Sequence, residues 1–353
     1  MHKLLLPVPL LALGFSSAAQ GPVVTYITPR GAEFFEGSSS SDIMLGNWAA
    51  QTRTQQVDNN LVGQPLPFVR FIGWRRNGSS NAGAAKTTNL TVICSHADYN
   101  TVTNTFATNY KDQPVTVFTK KPVNLPDWNA PSGSTPSPFN VILPFDTPFL
   151  YNGTDALLYD VLNENNPLGT YSQDWISGTM PHTYGAYPTD LGGGCTTANG
   201  PMVHRCALRA NATVLELGFK VSGAPASANV VMLIGASDPA LPIPGLCGVL
   251  HTQPVLDLAL TPASAAGNIA ISFPVRTPWS PALAGITLYT QAVAPDAGQS
   301  GLPIAISNGL RSDTPATGGA GAINVKRIYH TSSVTAATGT GPSVSAVPTL
   351  FGY

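Results

Sequence analysis

Gly285–Leu310 reads GITLYTQAVAPDAGQSGLPIAISNGL. Two runs of alternating apolar and polar residues flank a Pro295-Asp296-Ala297-Gly298 break, and Ser307-Asn308-Gly309 closes the second run. Side chains alternate between the two faces of a strand, so Ile286, Leu288 and Thr290 share one face and Thr287, Tyr289 and Gln291 the other. Proline fixes φ and glycine reaches φ > 0, which is what a chain reversal requires. The stretch is expected to be a β-hairpin, with Asp296 and Asn308 as turn residues and not as active-site groups.

The same signature recurs upstream. TVLELGFKVSGA, ANVVMLIGAS, VLDLALTP and GNIAISFPV lead into the hairpin and make six runs in about a hundred residues, the spacing of a small sandwich. Nearer the start, FVRFIGWRRNGSS runs into Asn77-Gly78, a hairpin signal. NLTVICSHA, PVTVFTKKPVNL, FNVILPFDTPFLY and ALLYDVLNE follow, each bounded by Pro, Gly, Asn or Asp. Helical periodicity is confined to one short candidate at 41–53, where Ser41-Asp42 could cap IMLGNWAAQTR.

The expected fold class is therefore all-β: two antiparallel β-sandwich domains of jelly-roll or immunoglobulin-like type. The first spans 20–168 and the second 211–310. Residues 169–210 are polar, aromatic and glycine-rich and read as an irregular connecting loop. Residues 311–353 read as a Ser/Thr/Gly-rich tail with one strand near 323–330.

Composition narrows the function. The chain has 353 residues, 17 Lys and Arg against 18 Asp and Glu, and a net charge of -1. No basic face of the kind that holds nucleic acid is expected. MHKLLLPVPLLALGFSSAAQ has a basic start, an apolar run from Leu4 to Phe15 and small residues at 17–19. This is the pattern of a signal peptide over 1–19, with a secreted or cell-surface chain starting near Gln20. No later run reaches the length of a membrane span. Cys195 and Cys206 flank a glycine-rich loop and are the expected disulfide, while Cys94 and Cys247 are left to pair with each other or stay free.

The C-terminal stretch LCGVLHTQPVLDLALTP, then GNIAISFPVRTPWSPALAGITLYTQAVAPD and ISNGL, resembles a domain that recurs in secreted β-sandwich proteins of planctomycete-like bacteria. The matching positions are Cys247-Gly248, Leu256-Asp257-Leu258, Leu283-Ala284-Gly285, Tyr289 to Gln291, Asp296 and Ser307-Asn308. FVRFIGWRRNG, LTVICSHADYNTVTNTFATNYKDQPVTVF and PFNVILPFDTPFLYNGTDALLYDV are similar to a partner domain of such proteins. The resemblance implies export and β-sandwich domains; it carries no activity and no catalytic residue.

The chemistry-bearing residues follow no catalytic pattern. G-x-S-x-G, H-E-x-x-H and phosphate-loop motifs are missing from the sequence. A hydrolase would need a carboxylate pair, such as Glu33 with Glu36 or Asp155 with Asp160, or a His182/His204 site with Asp190. No cofactor and no metal site are expected; if calcium bound, oxygen-rich loop tips such as Tyr151-Asn152-Gly153-Thr154-Asp155 would be its place. Tyr171, Trp175, Tyr184 and Tyr187 stand in the irregular loop, where aromatic faces could stack on sugar rings. The leading expectation is an exported, non-enzymatic structural or adhesion-type protein. Its partners would be cell-surface polysaccharide or other envelope proteins. The alternatives are a carbohydrate-binding module built on the 169–210 aromatics, and a glycan-active hydrolase.

Overall fold

The computed structural model describes residues 25–37, 39–46, 49–78, 82–129 and 134–353. The expected signal peptide and its cleavage site lie outside these residues. The described chain is all-β, with three short 3-10 turns and no α-helix among the described residues. No described helix is long and apolar enough to cross a membrane.

Nine strands come first: β1 (Thr25–Thr28), β2 (Ser39–Ser41), β3 (Gln51–Asp58), β4 (Phe68–Arg75), β5 (Lys86–Ala97), β6 (Val115–Leu125), β7 (Phe139–Leu150), β8 (Ala156–Glu164) and β9 (Gln173–Ser177). Fourteen follow in the middle: β10 (Thr183–Tyr184), β11 (Thr189–Gly192), β12 (Thr196–Thr197), β13 (Gly200–Pro201), β14 (Val203–Ala210), β15 (Val214–Ser222), β16 (Val231–Gly235), β17 (Leu241–Pro242), β18 (Val249–Leu250), β19 (Pro254–Ala259), β20 (Ile269–Pro278), β21 (Thr287–Pro295), β22 (Ile304–Ile306) and β23 (Gly309–Asp313). The last three are β24 (Val325–His330), β25 (Thr340–Ala346) and β26 (Thr349–Gly352).

The first sandwich faces a four-stranded sheet, β1-β26-β4-β7, against an eight-stranded sheet, β2-β9-β25-β24-β3-β8-β5-β6. Val69, Ile72, Trp74 and Phe351 from the small sheet meet Leu90, Val92, Val117, Tyr159 and Val161 from the large one in a single core. Ile72 and Trp74, Leu90 and Val92, and Tyr159 and Val161 alternate along their strands, and a register shift after Val69 brings it to the same face, so a period-two pattern with one irregularity fills the space between the sheets. The second sandwich packs β10-β14-β15-β20 on β11-β23-β21-β16-β19. Its core is built from Leu208, Leu217, Phe219 and Val221 on one side and Val230, Met232, Ala292 and Leu310 on the other.

The opening hairpin forms as expected: Val293, Ala294 and Pro295 pair with Ile306, Ala305 and Ile304. Asp296 accepts from Gly298 N at 3.0 Å and from Gln299 Nε2 at 2.6 Å, and Asn308 Oδ1 accepts from His204 N at 2.9 Å. Both are turn and packing residues.

Four other expectations are corrected. Residues 169–210 are not an irregular loop. They contain β9, which joins the large sheet, and β14, a full strand of the second sandwich. The tail at 311–353 supplies three strands instead of one. β24 pairs with β3, β25 with β9, and β26 lies between β1 and β4. Among the described residues the helix candidate at 41–53 holds the end of β2, a turn at 43–45 and the start of β3, whose Gln51–Asp58 pairs with Glu164–Leu157 of β8. Asn77-Gly78 does not close a hairpin, because β4 and β5 belong to different sheets. There the chain crosses between sheets, and Gly78 N donates to Glu36 Oε1 at 2.7 Å.

The disulfide is also corrected. Cys195 is bonded to Cys247, with 5.3 Å between their Cα atoms, and Cys94 and Cys206 are buried free thiols. Cys206 lies mid-strand in β14, opposite Phe219, and points into the core. Cys195 lies in the loop before the β12–β13 hairpin, beside Ile306, whose O accepts from Cys195 N at 2.8 Å. Cys247 enters the same place from the loop before β18. Nearness in sequence favoured Cys206; strand direction carries it away.

The segment around β1 seats one sandwich on the other. Arg30 Nε donates to Gly185 O at 3.1 Å, Arg205 pairs with Glu33 at 3.1 Å, and Arg205 Nη2 donates to Thr25 Oγ1 at 2.6 Å. Gly31, at φ +100°, lies against the Tyr184 ring, where a Cβ would overlap the ring atoms.

Candidate functional site

β2, β9, β25 and β24 are consecutive in the large sheet, and residues from them line a pocket of about 440 Å³. Trp175 comes from β9, Ser343 from β25, Arg327 and Tyr329 from β24, and Ser40, Ser41 and Asp42 from β2 and its exit. Arg327 and Tyr329 are two apart on one strand and share a face, while Ile328 between them turns into the cluster around Phe106 on the other side. The β24–β25 register shifts by one residue between Arg327↔Ser343 and Tyr329↔Thr340. Gly341 lies at this bulge with φ +112°, and a side chain there would meet the Arg327 carbonyl oxygen at 2.5 Å. The bulge opens the sheet surface at the pocket.

Arg327 dominates the electrostatics of the pocket. It is 2% exposed, and no carboxylate among the described residues lies within ion-pair distance of it. Its Nη1 donates to Ser41 Oγ at 3.0 Å, while its Nε is buried and donates to nothing. The guanidinium carbon sits 5.2 Å from the Trp175 ring centre and 5.2 Å from that of Tyr329. Two such contacts contribute about 0.5–2 kcal/mol each, less than the several kcal/mol that an unpaired buried charge costs. Burial lowers the Arg327 pKa to about 10. The indole Nε1 of Trp175 is a second buried donor without a partner. Asp42 supplies the negative group of the pocket, and its Oδ1 accepts from Ser172 Oγ at 2.5 Å.

The four aromatics expected to form a site are not gathered together. Only Trp175 lines the pocket. Tyr171 is fully buried, stacks on Trp128 with 4.1 Å between ring centres, and donates to Pro126 O at 2.8 Å. Tyr184 stacks on Phe35. Tyr187 donates to Ile27 O at 2.7 Å under the Arg30 guanidinium, at the seam between the sandwiches. Arg327 and Tyr329 were missed. The available signal was the lone Arg and Tyr on alternate positions of INVKRIYH, on the face where an apolar pair would be usual.

The groups considered for hydrolysis have structural partners. Glu33 pairs with Arg205; Glu36 accepts from Gly78 N and Ser137 N; Asp155 pairs with Lys111; Asp160 pairs with Arg53. His182 stands by Glu216 at 3.5 Å, next to Thr183, which is opposite Ala210. His204 is six residues along β14 from Ala210, so the two histidines are about 20 Å apart. Asp190 Oδ1 accepts from Gly192 N at 2.8 Å. At the proposed calcium loop, Asn152 Oδ1 accepts from Thr154 N and Asp155 N, and Asp155 Oδ2 accepts from Asn152 Nδ2. No group of three or more His, Cys, Asp or Glu side chains able to hold a metal ion occurs among the described residues.

Comparison with protein-family models, curated proteins and solved structures finds no match for this chain.

Proposed function

We propose that this is an exported, adhesion-type binding protein that holds a saccharide in the Trp175–Arg327–Tyr329 pocket. The observation that carries the reading is the convergence of the Trp175 and Tyr329 side chains, Arg327 and the polar residues Ser40, Ser41, Asp42 and Ser343 on one concavity. Sugar rings present apolar C–H faces to aromatics and many oxygens to donors, and this lining offers both. Binding is favoured over turnover because each carboxylate considered for hydrolysis is engaged in an ion pair or backbone contacts. The Cys195–Cys247 disulfide and the leader-like first nineteen residues support an extracytoplasmic setting.

The test is a glycan array probed with residues 20–353, alongside Trp175→Ala and Tyr329→Ala. Retention of a defined saccharide class, weakened about tenfold or more by either substitution at unchanged melting temperature, is the expected result. That factor corresponds to roughly 1.4 kcal/mol of stacking. Retention indifferent to both substitutions, or none at all, removes the proposal.

A further inference from the structure

We infer that the saccharide this pocket selects is acidic, carrying a ring carboxylate that docks on Arg327. The inference rests on the binding reading above and adds the charge of the ligand.

Arg75, the other arginine buried as deeply, has an anion, as do the half-buried Arg53 and Arg209, whereas Arg30 at 8% exposed donates to the carbonyls of Gly185 and Ala186. Arg75 meets Asp174 at 2.5 Å and Arg53 meets Asp160 at 2.7 Å. Arg209 meets Glu216 at 2.6 Å. Arg327, 2% exposed, has a serine hydroxyl and two aromatic faces instead. A guanidinium gains most when a carboxylate accepts from it, and Arg327 lines the pocket with no carboxylate among the described residues within ion-pair distance. The Coulombic attraction is strong because the site is recessed and little screened.

The rest of the lining fits the same ligand. The Trp175 and Tyr329 faces suit the C–H face of a pyranose. Ser40 and Ser343 can donate to or accept from ring hydroxyls, and the Asp42 carboxylate can accept from them, as a uronic acid presents hydroxyls next to its carboxylate. Asp42 does not neutralise Arg327: its Oδ1 is turned to Ser172 Oγ, and its field acts on Lys86. The lining therefore separates an anion-accepting position from a hydroxyl-accepting one. A neutral sugar would leave the Arg327 charge without a counter-ion.

The experiment compares three probes by calorimetric titration into residues 20–353: oligogalacturonate, the same oligomer as its methyl ester, and a neutral gluco-oligosaccharide. The ester removes the charge and adds one methyl group, and the neutral oligomer lacks both, so the three together separate charge from bulk even if a substitution at Arg327 unfolds the chain. The expected result is that oligogalacturonate binds at least about tenfold more tightly than the ester. Arg327→Gln should abolish that preference and Trp175→Ala should weaken every probe. Equal binding of acid, ester and neutral oligomer would overturn the charge assignment and leave the saccharide pocket standing. Binding of none of the three, or binding of the acid unaffected by both substitutions, would overturn the two together.

Discussion

His204 Nδ1 lies 2.9 Å from Ser307 Oγ in a site closed to solvent, and His204 Nε2 lies 3.0 Å from Thr290 Oγ1. A serine beside a histidine suggests a nucleophile and its base. Here both are fully buried, and neither ring nitrogen contacts a carboxylate among the described residues. The arrangement is a polar pin that fixes β14 to the end of the closing hairpin.

The pin makes stability depend on acid. Burial lowers the His204 pKa from 6.5 to about 4. The unfolded chain therefore takes up the proton first, and the stability present above pH 6.5 is lost as the pH falls toward 4. About 3 kcal/mol is at stake. Urea unfolding of wild type and His204→Gln at pH 7 and pH 4 should show a smaller decline in the variant. Parallel declines would mean that His204 does not carry the effect.

Asp58 has the opposite slope. Its side chain is fully buried; Oδ1 accepts from Asn60 N and Nδ2 at 2.9 Å each, while Oδ2 has no partner. Burial raises its pKa from 3.8 to about 6. The folded state holds its proton longer, so the contribution of Asp58 is fully present below about pH 4 and is lost as the pH rises through 6. Asp58→Asn should gain stability on wild type above pH 6, by up to about 3 kcal/mol, and gain little at pH 4. A constant offset across that range would refute the assignment.

The Cys195–Cys247 bond closes a loop of 52 residues, which corresponds to about 4 kcal/mol of restricted unfolded-state freedom. Cys195→Ser/Cys247→Ser should be destabilised by an amount of that order. Peptide mapping of the oxidised protein should recover the 195–247 pair. Alkylation should reach Cys94 and Cys206 only after denaturation, since both are buried. A recovered 195–206 pair would contradict the register of β14.

Phe351 is fully buried in β26 and meets the Tyr159 ring edge-on at 5.7 Å. Phe351→Ala should cost about 3–5 kcal/mol, read by chemical denaturation. Deletion of 349–353 should prevent folding of the first sandwich, because β26 bonds β1 on one side and β4 on the other. A soluble truncated protein with unchanged far-UV dichroism would show that β26 is dispensable.

Much of the strand content was legible because each run had to bury one face, and period two records that demand. The six runs between Val214 and Ile306 all became strands. Partner choice was not legible. Nothing in VPTLFGY states that it belongs between strands some three hundred residues earlier, since pairing is chosen by tertiary packing and not by local pattern. The same limit hid the pocket. Trp175 was visible as an aromatic in a polar stretch. Its companions Arg327 and Tyr329 stand on a strand that reaches it only through the sheet order β9-β25-β24.

The strands that complete the first sandwich, β24 to β26, follow the whole of the second in the chain. On the ribosome, the middle unit has all its strands by Asp313, while the earlier one still lacks the centre of its small sheet. The usual order, in which the amino-terminal unit finishes first, is reversed here. Until Gly352 emerges, β1, β4 and β3 expose unpaired edges to the surroundings. Export as proposed above would therefore have reason to carry the chain across the membrane unfolded, or in the care of a chaperone, and to let it close only after translocation.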